Sequence, residues 1–151
     1  MLTISMQTTE GHNLERFIAA QKSSFYTALS EMEQGRKRSH WMWYIFPQIS
    51  GLGFSEASNY YAISDLAEAA AYLKHRTLGC RMILICETLL KLDETDAHLI
   101  FGSPDDLKFH SSLTLFASVP GSHPVFTQLL KKFFSGLKDN KTLKILSLTS
   151  L

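Results

Sequence analysis

Apolar residues recur at helical spacing along most of the chain, and outside residues 40–48 no segment convincingly alternates apolar and polar positions as a half-buried strand does. The clearest signal begins after Asn13, a residue type that caps helix N-termini, and ends at Gly35, a typical helix stop. Its apolar residues keep to one helical face, and they are Leu14, Phe17, Ile18, Phe25, Ala28, Leu29 and Met32. The pattern predicts one long amphipathic helix.

Further helix signals fill the rest of the chain. Residues 78–92 are apolar nearly all round, as is typical of a helix at the centre of a bundle. The other predicted helices are Asp65–Lys74 capped by Ser64, Ser103 to about Ala117, Pro124–Gly136, and Lys141–Leu148 capped by Asp139. Two shorter pieces are a helical stretch from Ser55 through Tyr61 and a short turn of helix at Asp96–Phe101 closed by Gly102. We therefore predict an all-α fold, a single compact domain of six to seven helices over residues 13–151, after a flexible N-terminal tail over residues 1–12.

Residues 40–48, with the sequence HWMWYIFPQ, interrupt this helical pattern. They hold both tryptophans of the chain, a tyrosine and a phenylalanine, directly after the basic run Arg36–Arg38. Pro47 disfavours helical geometry at Phe46, so any helix through this segment must end about there. If the segment is extended instead, both of its faces are apolar. Either geometry predicts a buried aromatic segment that breaks the regular helical frame.

Composition and charge exclude several classes of function. The chain has 151 residues and a formal net charge of +1, which argues against a dedicated nucleic-acid binder. No apolar run is long enough to cross a bilayer, and the N-terminus lacks the charged-then-apolar order of a secretory signal, so we expect a cytoplasmic protein. The two cysteines are six residues apart on one predicted helix, too far for a bridge, and we expect both to be buried. Histidines are dispersed without a metal-binding spacing, so neither a metal nor a cofactor is predicted.

The aromatic segment is the first candidate for chemistry. Two tryptophans beside a basic run offer stacking for a planar ligand and charge for a phosphate. Core packing is the competing interpretation: it is favoured for Trp41 and remains open for Trp43 and Tyr44, whose polar ring atoms need partners when buried. His40 is the best candidate for a functional imidazole, although a hydrogen-bonded boundary histidine is the more ordinary interpretation. Arg38 is the candidate for anion binding from the basic run, although such runs are more often solvated loops than anion sites.

The second candidate lies on the helix that follows Ser103. Asp105, Lys108 and Ser112 recur at three- and four-residue spacing and share a helical face, and Ser111 also lies one turn from Lys108. A serine beside a desolvated lysine could be a nucleophile with its base, but no oxyanion-hole element is visible in the sequence. Binding of a polar or phosphorylated ligand, or hydrogen bonding to the aromatic segment, is the better hypothesis.

Four segments carry a resemblance to a known family: HWMWYIFPQISGLG, EAAAYLKHRTLGCRM, IFGSPDDLKFHSSLTLF and FFSGLKDNKTLKIL. Over roughly residues 13–146 the chain resembles the bacterial and fungal proteins grouped as domain of unknown function 1810. The resemblance implies a mainly helical fold and no established activity. Some members are labelled calpastatin, a label that an ordinary globular composition does not support. The family usually has proline after the histidine of YLKH; here Arg76 takes that place, which leaves the cap of the next helix open.

These observations lead to two hypotheses. The first is a pocket between the HWMWYIFPQ segment and the SPDDLKFHSSLTLF helix that binds a small anionic or nucleotide-like ligand, with any catalytic use left open. The candidate ligand-binding residues are Arg38, His40, Trp41, Trp43, Tyr44, Lys108, Ser111 and Ser112. The second is a non-catalytic interaction or homo-oligomerisation module in which the aromatic segment is core. A nucleic-acid partner is the weakest alternative because of the net charge, and no membrane partner is expected.

Overall fold

The computed structural model describes residues 12–149, and within them the chain forms ten α-helices and no strand beyond a single parallel bridge between Ile49 and Ile63. The helices are α1 Glu15–Gln21, α2 Phe25–Glu33, α3 Met42–Ile45, α4 Glu56–Tyr60, α5 Leu66–Lys74, α6 Arg76–Lys91, α7 Ala97–Phe101, α8 Asp105–Ala117, α9 Val125–Phe134 and α10 Asn140–Thr149. The all-α prediction is confirmed, but the predicted count of six to seven helices is too low. The predicted tail over residues 1–12 lies, except for His12, outside the described residues.

The predicted long helix after Asn13 is two helices with a break after Gln21. The apolar pattern hides this break because Gln21 occupies the core position between Ile18 and Phe25. Its side chain is buried, and its amide nitrogen donates to the backbone oxygen of Tyr44 at 2.8 Å and to Oη of Tyr72 at 3.0 Å. A polar residue thus connects this break to the aromatic segment.

Helix α6 occupies the centre of the fold, as its apolar sequence predicts. It packs against α1, α2, α5 and α9, while α8 packs against α5, α7, α9 and α10. Its buried side chains include Leu78, Met82, Ile85 and Leu89. The expectation that both cysteines are buried is correct for Cys86 and wrong for Cys80, which lies on the exposed face of the helix; both thiols are free. No helix in the described part of the chain is long and apolar enough to cross a lipid bilayer.

The helix termini show where the predicted caps hold. Asp139 caps α10, as predicted, because its carboxylate accepts a hydrogen bond from the Thr142 amide at 3.0 Å. Asp65 rather than Ser64 caps α5 and accepts from the Glu68 amide at 2.9 Å. Two other predicted starts differ as well, since the N-cap positions of α1 and α8 are Leu14 and Pro104, neither with a side-chain cap.

The junction between α5 and α6 is a tight corner. The sequence did not show which residue caps the N-terminus of α6, because Arg76 takes the place of the family's proline. His75 is that cap, since its Nδ1 accepts hydrogen bonds from the Thr77 and Leu78 amides at 3.2 and 3.3 Å. One turn later Gly79 lies against the preceding helix. A Cβ added there would overlap the carbonyl oxygen of Leu73 and lie 3.0 Å from its carbonyl carbon. The corner therefore requires glycine for close backbone approach.

Candidate functional site

The loop between α2 and α3 is built around the carboxylate of Glu31. Its oxygens accept from the Arg38 amide at 2.8 Å, the Ser39 amide at 3.1 Å, the Ser39 hydroxyl at 2.6 Å and the Trp41 indole nitrogen at 2.8 Å. Burial by itself raises the pKa of Glu31, but these donors outweigh it and lower the pKa to about 2. Trp41 is only 1% exposed and is held in the core through this carboxylate.

The basic run that precedes the aromatic segment is divided between core and solvent. Arg36 and Arg38 are exposed, whereas Lys37 reaches inward and its Nζ lies 2.9 Å from Oδ2 of Asp105. The same ammonium lies 5.0 Å from the ring centroid of Trp41. Lys37 therefore joins the loop to the start of α8, and its charge is already neutralised there.

A groove of about 390 Å³ lies between the end of the aromatic segment and α8, and its lining mixes polar groups with a larger share of apolar surface. Its walls come from residues 48–53 on one side and from α8 and the start of α10 on the other. The lining includes two lysines, an amide, a hydroxyl and a carboxylate, and these groups belong to Lys108, Lys141, Gln48, Ser111 and Asp139. A narrow crevice with room for about one water molecule shares Gln48, Gly53 and Lys108 with the groove and extends to Trp43, Asn59 and Tyr61.

Lys108 stands where the groove and the crevice meet. Its Nζ lies 5.4 Å from the ring centroid of Trp43 and 3.7 Å from Oδ1 of Asp105. Asp105 has a closer partner in Lys37, at 2.9 Å, so its charge compensates Lys108 only weakly. The Lys108 side chain is 24% exposed. It therefore presents a positive charge to the groove beside an aromatic ring.

Ser111 lies on the wall of the groove and takes part in the cap of α10. Its Oγ lies 3.1 Å from the Leu107 carbonyl oxygen and 3.1 Å from Oδ2 of Asp139, and that carboxylate also accepts from the Thr142 hydroxyl at 2.6 Å. Neither of these contacts involves Lys108. The geometry therefore offers a bound hydroxyl rather than a serine activated by a lysine base.

The turn at residues 51–53 fixes the outer wall of the groove. Gly51 has φ of +105°, a conformation that residues with a Cβ rarely adopt. A Cβ on Gly53 would lie 2.5 Å from Cβ of Ser58. Ser58 in turn donates its amide to Oγ of Ser55, the N-cap of α4, at 3.1 Å. The two glycines therefore allow the turn to close directly onto α4.

The structure brings together three of the eight predicted site residues: Trp43, Lys108 and Ser111 line the groove or its crevice. The other five line neither, since Arg38 and His40 are exposed, Trp41 and Ser112 are buried, and Tyr44 is half-buried with its hydroxyl 3.0 Å from Ser24 Oγ. The polar and aromatic lining residues that sequence reasoning missed include Gln48, Ser58, Asn59, Tyr61, Asp139 and Lys141. Asp139 carried only a helix-cap signal and Lys141 carried none. Within residues 12–149 no group of three or more potential ligand side chains could hold a metal ion.

The fold is a helical domain with a groove beside α8, and comparison with known proteins gives its family. The chain belongs to the family described as "Protein of unknown function (DUF1810)", which matches residues 11–146 and confirms the resemblance seen in the sequence. A similar solved structure is the crystal structure of the conserved hypothetical protein Rv1873 from Mycobacterium tuberculosis. It has 41% sequence identity and a TM-score of 0.87, over 89% of this chain and 96% of that chain. No curated protein matches the chain.

Proposed function

We propose that the groove between residues 48–53 and α8 binds a small anionic ligand, with a nucleotide-like phosphate as the leading class. The observation that carries this proposal is the position of Lys108, whose ammonium is weakly compensated and lies 5.4 Å from the ring centroid of Trp43. Lys141, at the start of α10, supplies a second cation on the same wall. A phosphate would contact the lysines, and a planar base would lie toward the aromatic crevice.

The charged and polar groups of the lining, set among apolar surface, fit this class of ligand better than a purely apolar one. The Gln48 amide can orient a ligand, while Asp139 is already engaged with Ser111 and Thr142 and repels an anion less than a free carboxylate would. The volume of about 390 Å³ lies within the ordinary range of small-molecule sites. The proposal concerns binding alone: Ser111 has no lysine base beside it, and its carboxylate neighbour Asp139 is engaged in the cap of α10.

Isothermal titration of the full chain with adenosine monophosphate tests the proposal. We expect Lys108→Ala and Lys141→Ala each to raise the Kd about tenfold or more, because each removes a charge-assisted contact worth about 1.5–3 kcal/mol. The matched control is Lys144→Ala, an exposed lysine on the same helix as Lys141 that does not line the groove. Unchanged affinity in Lys108→Ala, or an equal loss in the control, would contradict the assignment.

The alternative function is a non-catalytic interaction or homo-oligomerisation module. It is supported by two large apolar side chains near the groove, Phe54 at 92% exposure and Leu107 at 62%. Most of the aromatic segment is core, as this alternative requires: Trp41, Met42, Ile45 and Phe46 are buried. Sedimentation of the wild-type protein separates the two proposals, because this module predicts self-association that Phe54→Ser abolishes.

A further inference from the structure

Lysines are concentrated between the end of α9 and the middle of α10. Residues 131–144 contain five lysines and a single acidic residue, Asp139, which gives this segment a formal charge of +4. Because the whole chain carries +1, the residues outside this segment carry −3. Within the described chain Asp139 pairs with none of these lysines; its carboxylate accepts hydrogen bonds from Ser111 and Thr142 instead. The protein therefore has one strongly positive segment on an otherwise mildly acidic chain.

Four of these five ammonium groups are available to a partner. Lys132 is the exception, because its Nζ donates to the carbonyl oxygens of Leu89 and Leu90 at 3.2 and 2.9 Å. The four others are all exposed, and they are Lys131, Lys138, Lys141 and Lys144. None of the four forms an ion pair within residues 12–149. Their charges therefore remain uncompensated at the surface.

The four free lysines follow one another along a continuous surface. Lys131 lies beside the turn after α9, since its Cγ would be 3.9 Å from a Cβ on Gly136. Beyond that turn, Lys138 and Lys141 line one open hollow of about 650 Å³. Lys144 is three residues after Lys141 and shares its face of α10. The positive charges are therefore presented together.

Two exposed leucines lie among these lysines. Leu137 is 68% exposed and lines the same hollow as Lys141, and Leu148 is 66% exposed and lies seven residues after Lys141 on the same face of α10. Hydrogen bonds of the backbone hold Leu137 in place, since its carbonyl oxygen is 2.7 Å from His110 Nε2 and its amide donates to the Phe134 carbonyl oxygen at 2.9 Å. We call this amphipathic surface the basic face, and it comprises Lys131, Leu137, Lys138, Lys141, Lys144 and Leu148.

We propose that the basic face docks on the surface of a membrane that contains anionic phospholipids. The lysines attract the negative headgroups, while Leu137 and Leu148 enter the boundary between the headgroups and the acyl chains. The sequence predicts no membrane partner because no apolar run spans a bilayer, but contact with one leaflet needs no such run. The proposal goes beyond the anion groove, with which the basic face shares only Lys141.

A nucleic-acid strand, another polyanion that lysines attract, fits this surface less well. Proteins hold unpaired bases by stacking them on aromatic side chains, and the basic face contains no aromatic residue. The adjacent Phe133 and Phe134 are half-buried, with ring centroids 5.7 and 6.0 Å from that of Phe109. Two exposed leucines contribute nothing to a phosphate backbone, whereas a bilayer accommodates them.

Co-sedimentation of the full chain with vesicles tests the proposal. We expect binding to phosphatidylcholine vesicles that contain about 30% phosphatidylserine, no binding to pure phosphatidylcholine, and release as salt is added. Lys138→Gln and Lys144→Gln should each lower the partition coefficient about fivefold, because each removes one charge near the surface. The matched control is Lys91→Gln, an exposed lysine of α6 outside the basic face, which should leave binding unchanged.

A polarity-sensitive dye distinguishes insertion into lipid from charge attraction alone. Cys86 is buried and Cys80 is exposed, so Leu137→Cys in a Cys80→Ser background can be labelled at one site. Anionic vesicles should shift the emission of this dye to the blue and leave a dye on Cys80 of the wild-type protein unshifted. Leu137→Ser should weaken binding severalfold, whereas Leu99→Ser, at a leucine that is 60% exposed outside the basic face, should not.

Several results would overturn the proposal. They are no binding to anionic vesicles, equal binding to neutral ones, equal partition of Lys144→Gln and Lys91→Gln, or an unshifted dye at position 137. Binding of single-stranded RNA but not of vesicles, with the same dependence on Lys138 and Lys144, would assign the basic face to nucleic acid instead. Neither of these two lysines lines the groove, so each such result leaves the groove proposal standing.

Discussion

Replacing Gly79 with alanine is expected to lower the free energy of unfolding by about 3 kcal/mol. The added methyl would overlap the carbonyl oxygen of Leu73, which is backbone and cannot rotate away, so the α5–α6 corner must open. Helix propensity alone predicts that the substitution raises the free energy of unfolding, since alanine is favoured over glycine by about 1 kcal/mol inside a helix. Urea denaturation followed by circular dichroism measures the change.

The control for this prediction is the neighbouring substitution Cys80→Ala on the exposed side of the same helix. It should change stability by less than about 0.5 kcal/mol, because a surface position tolerates a small apolar residue. A Gly79→Ala protein as stable as the wild type would mean that the two helices do not meet as closely as the structure shows.

The second large effect is expected at Glu31, where Glu31→Gln should remove about 2–3 kcal/mol of stability near pH 7. The folded pKa of about 2 lies below the ordinary value of 4.5, so the carboxylate stabilises the fold fully above pH 4.5. This contribution falls as the pH decreases from 4.5 towards 2. At about 1.4 kcal/mol per pKa unit the difference amounts to roughly 3 kcal/mol. The variant should therefore lose stability less steeply than the wild type over this pH range.

Glu33→Gln is the matched control, since it makes the same charge change on an exposed residue of α2. Unfolding free energies measured from pH 7 to pH 2.5 should coincide for Glu33→Gln and the wild type and diverge for Glu31→Gln. If all three profiles have the same slope, the four donors do not hold the Glu31 carboxylate in its charged form.

Hydrophobic spacing predicted most of the helices, because helices such as α9 bury residues that recur at helical spacing, here Val125, Phe126, Leu129 and Leu130. It could not predict the break after Gln21, where a buried polar residue takes the place of an apolar one and bonds to Tyr44 and Tyr72. Nor could it reveal the role of Glu31. The partners of that carboxylate follow seven to ten residues later and are mostly backbone or hydroxyl groups, which leave no pattern in the sequence.

Only some of the residues that line the groove and its crevice could be predicted from the sequence. Residue types and helical spacing pointed to Trp43, Lys108 and Ser111. Ser111 and Ser112 are adjacent and both buried, but a rotation of about 100° per residue points them in different directions, and only Ser111 lines the groove. Spacing cannot choose between them until the packed face is known. Lys141 and Asp139 join the groove only because α10 packs against α8, a contact between distant segments.

Tryptophan fluorescence offers the most direct test of the anion groove, because the two tryptophans of the chain occupy different environments. Trp41 is 1% exposed and bonded to Glu31, whereas Trp43 lines the crevice beside Lys108. With excitation at a wavelength that adenine does not absorb, adenosine monophosphate should quench or shift the emission of the wild-type protein. The change should disappear in Trp43→Phe and need at least about tenfold more ligand in Lys108→Ala. No change at millimolar nucleotide, or a change that persists in Trp43→Phe, would contradict the account.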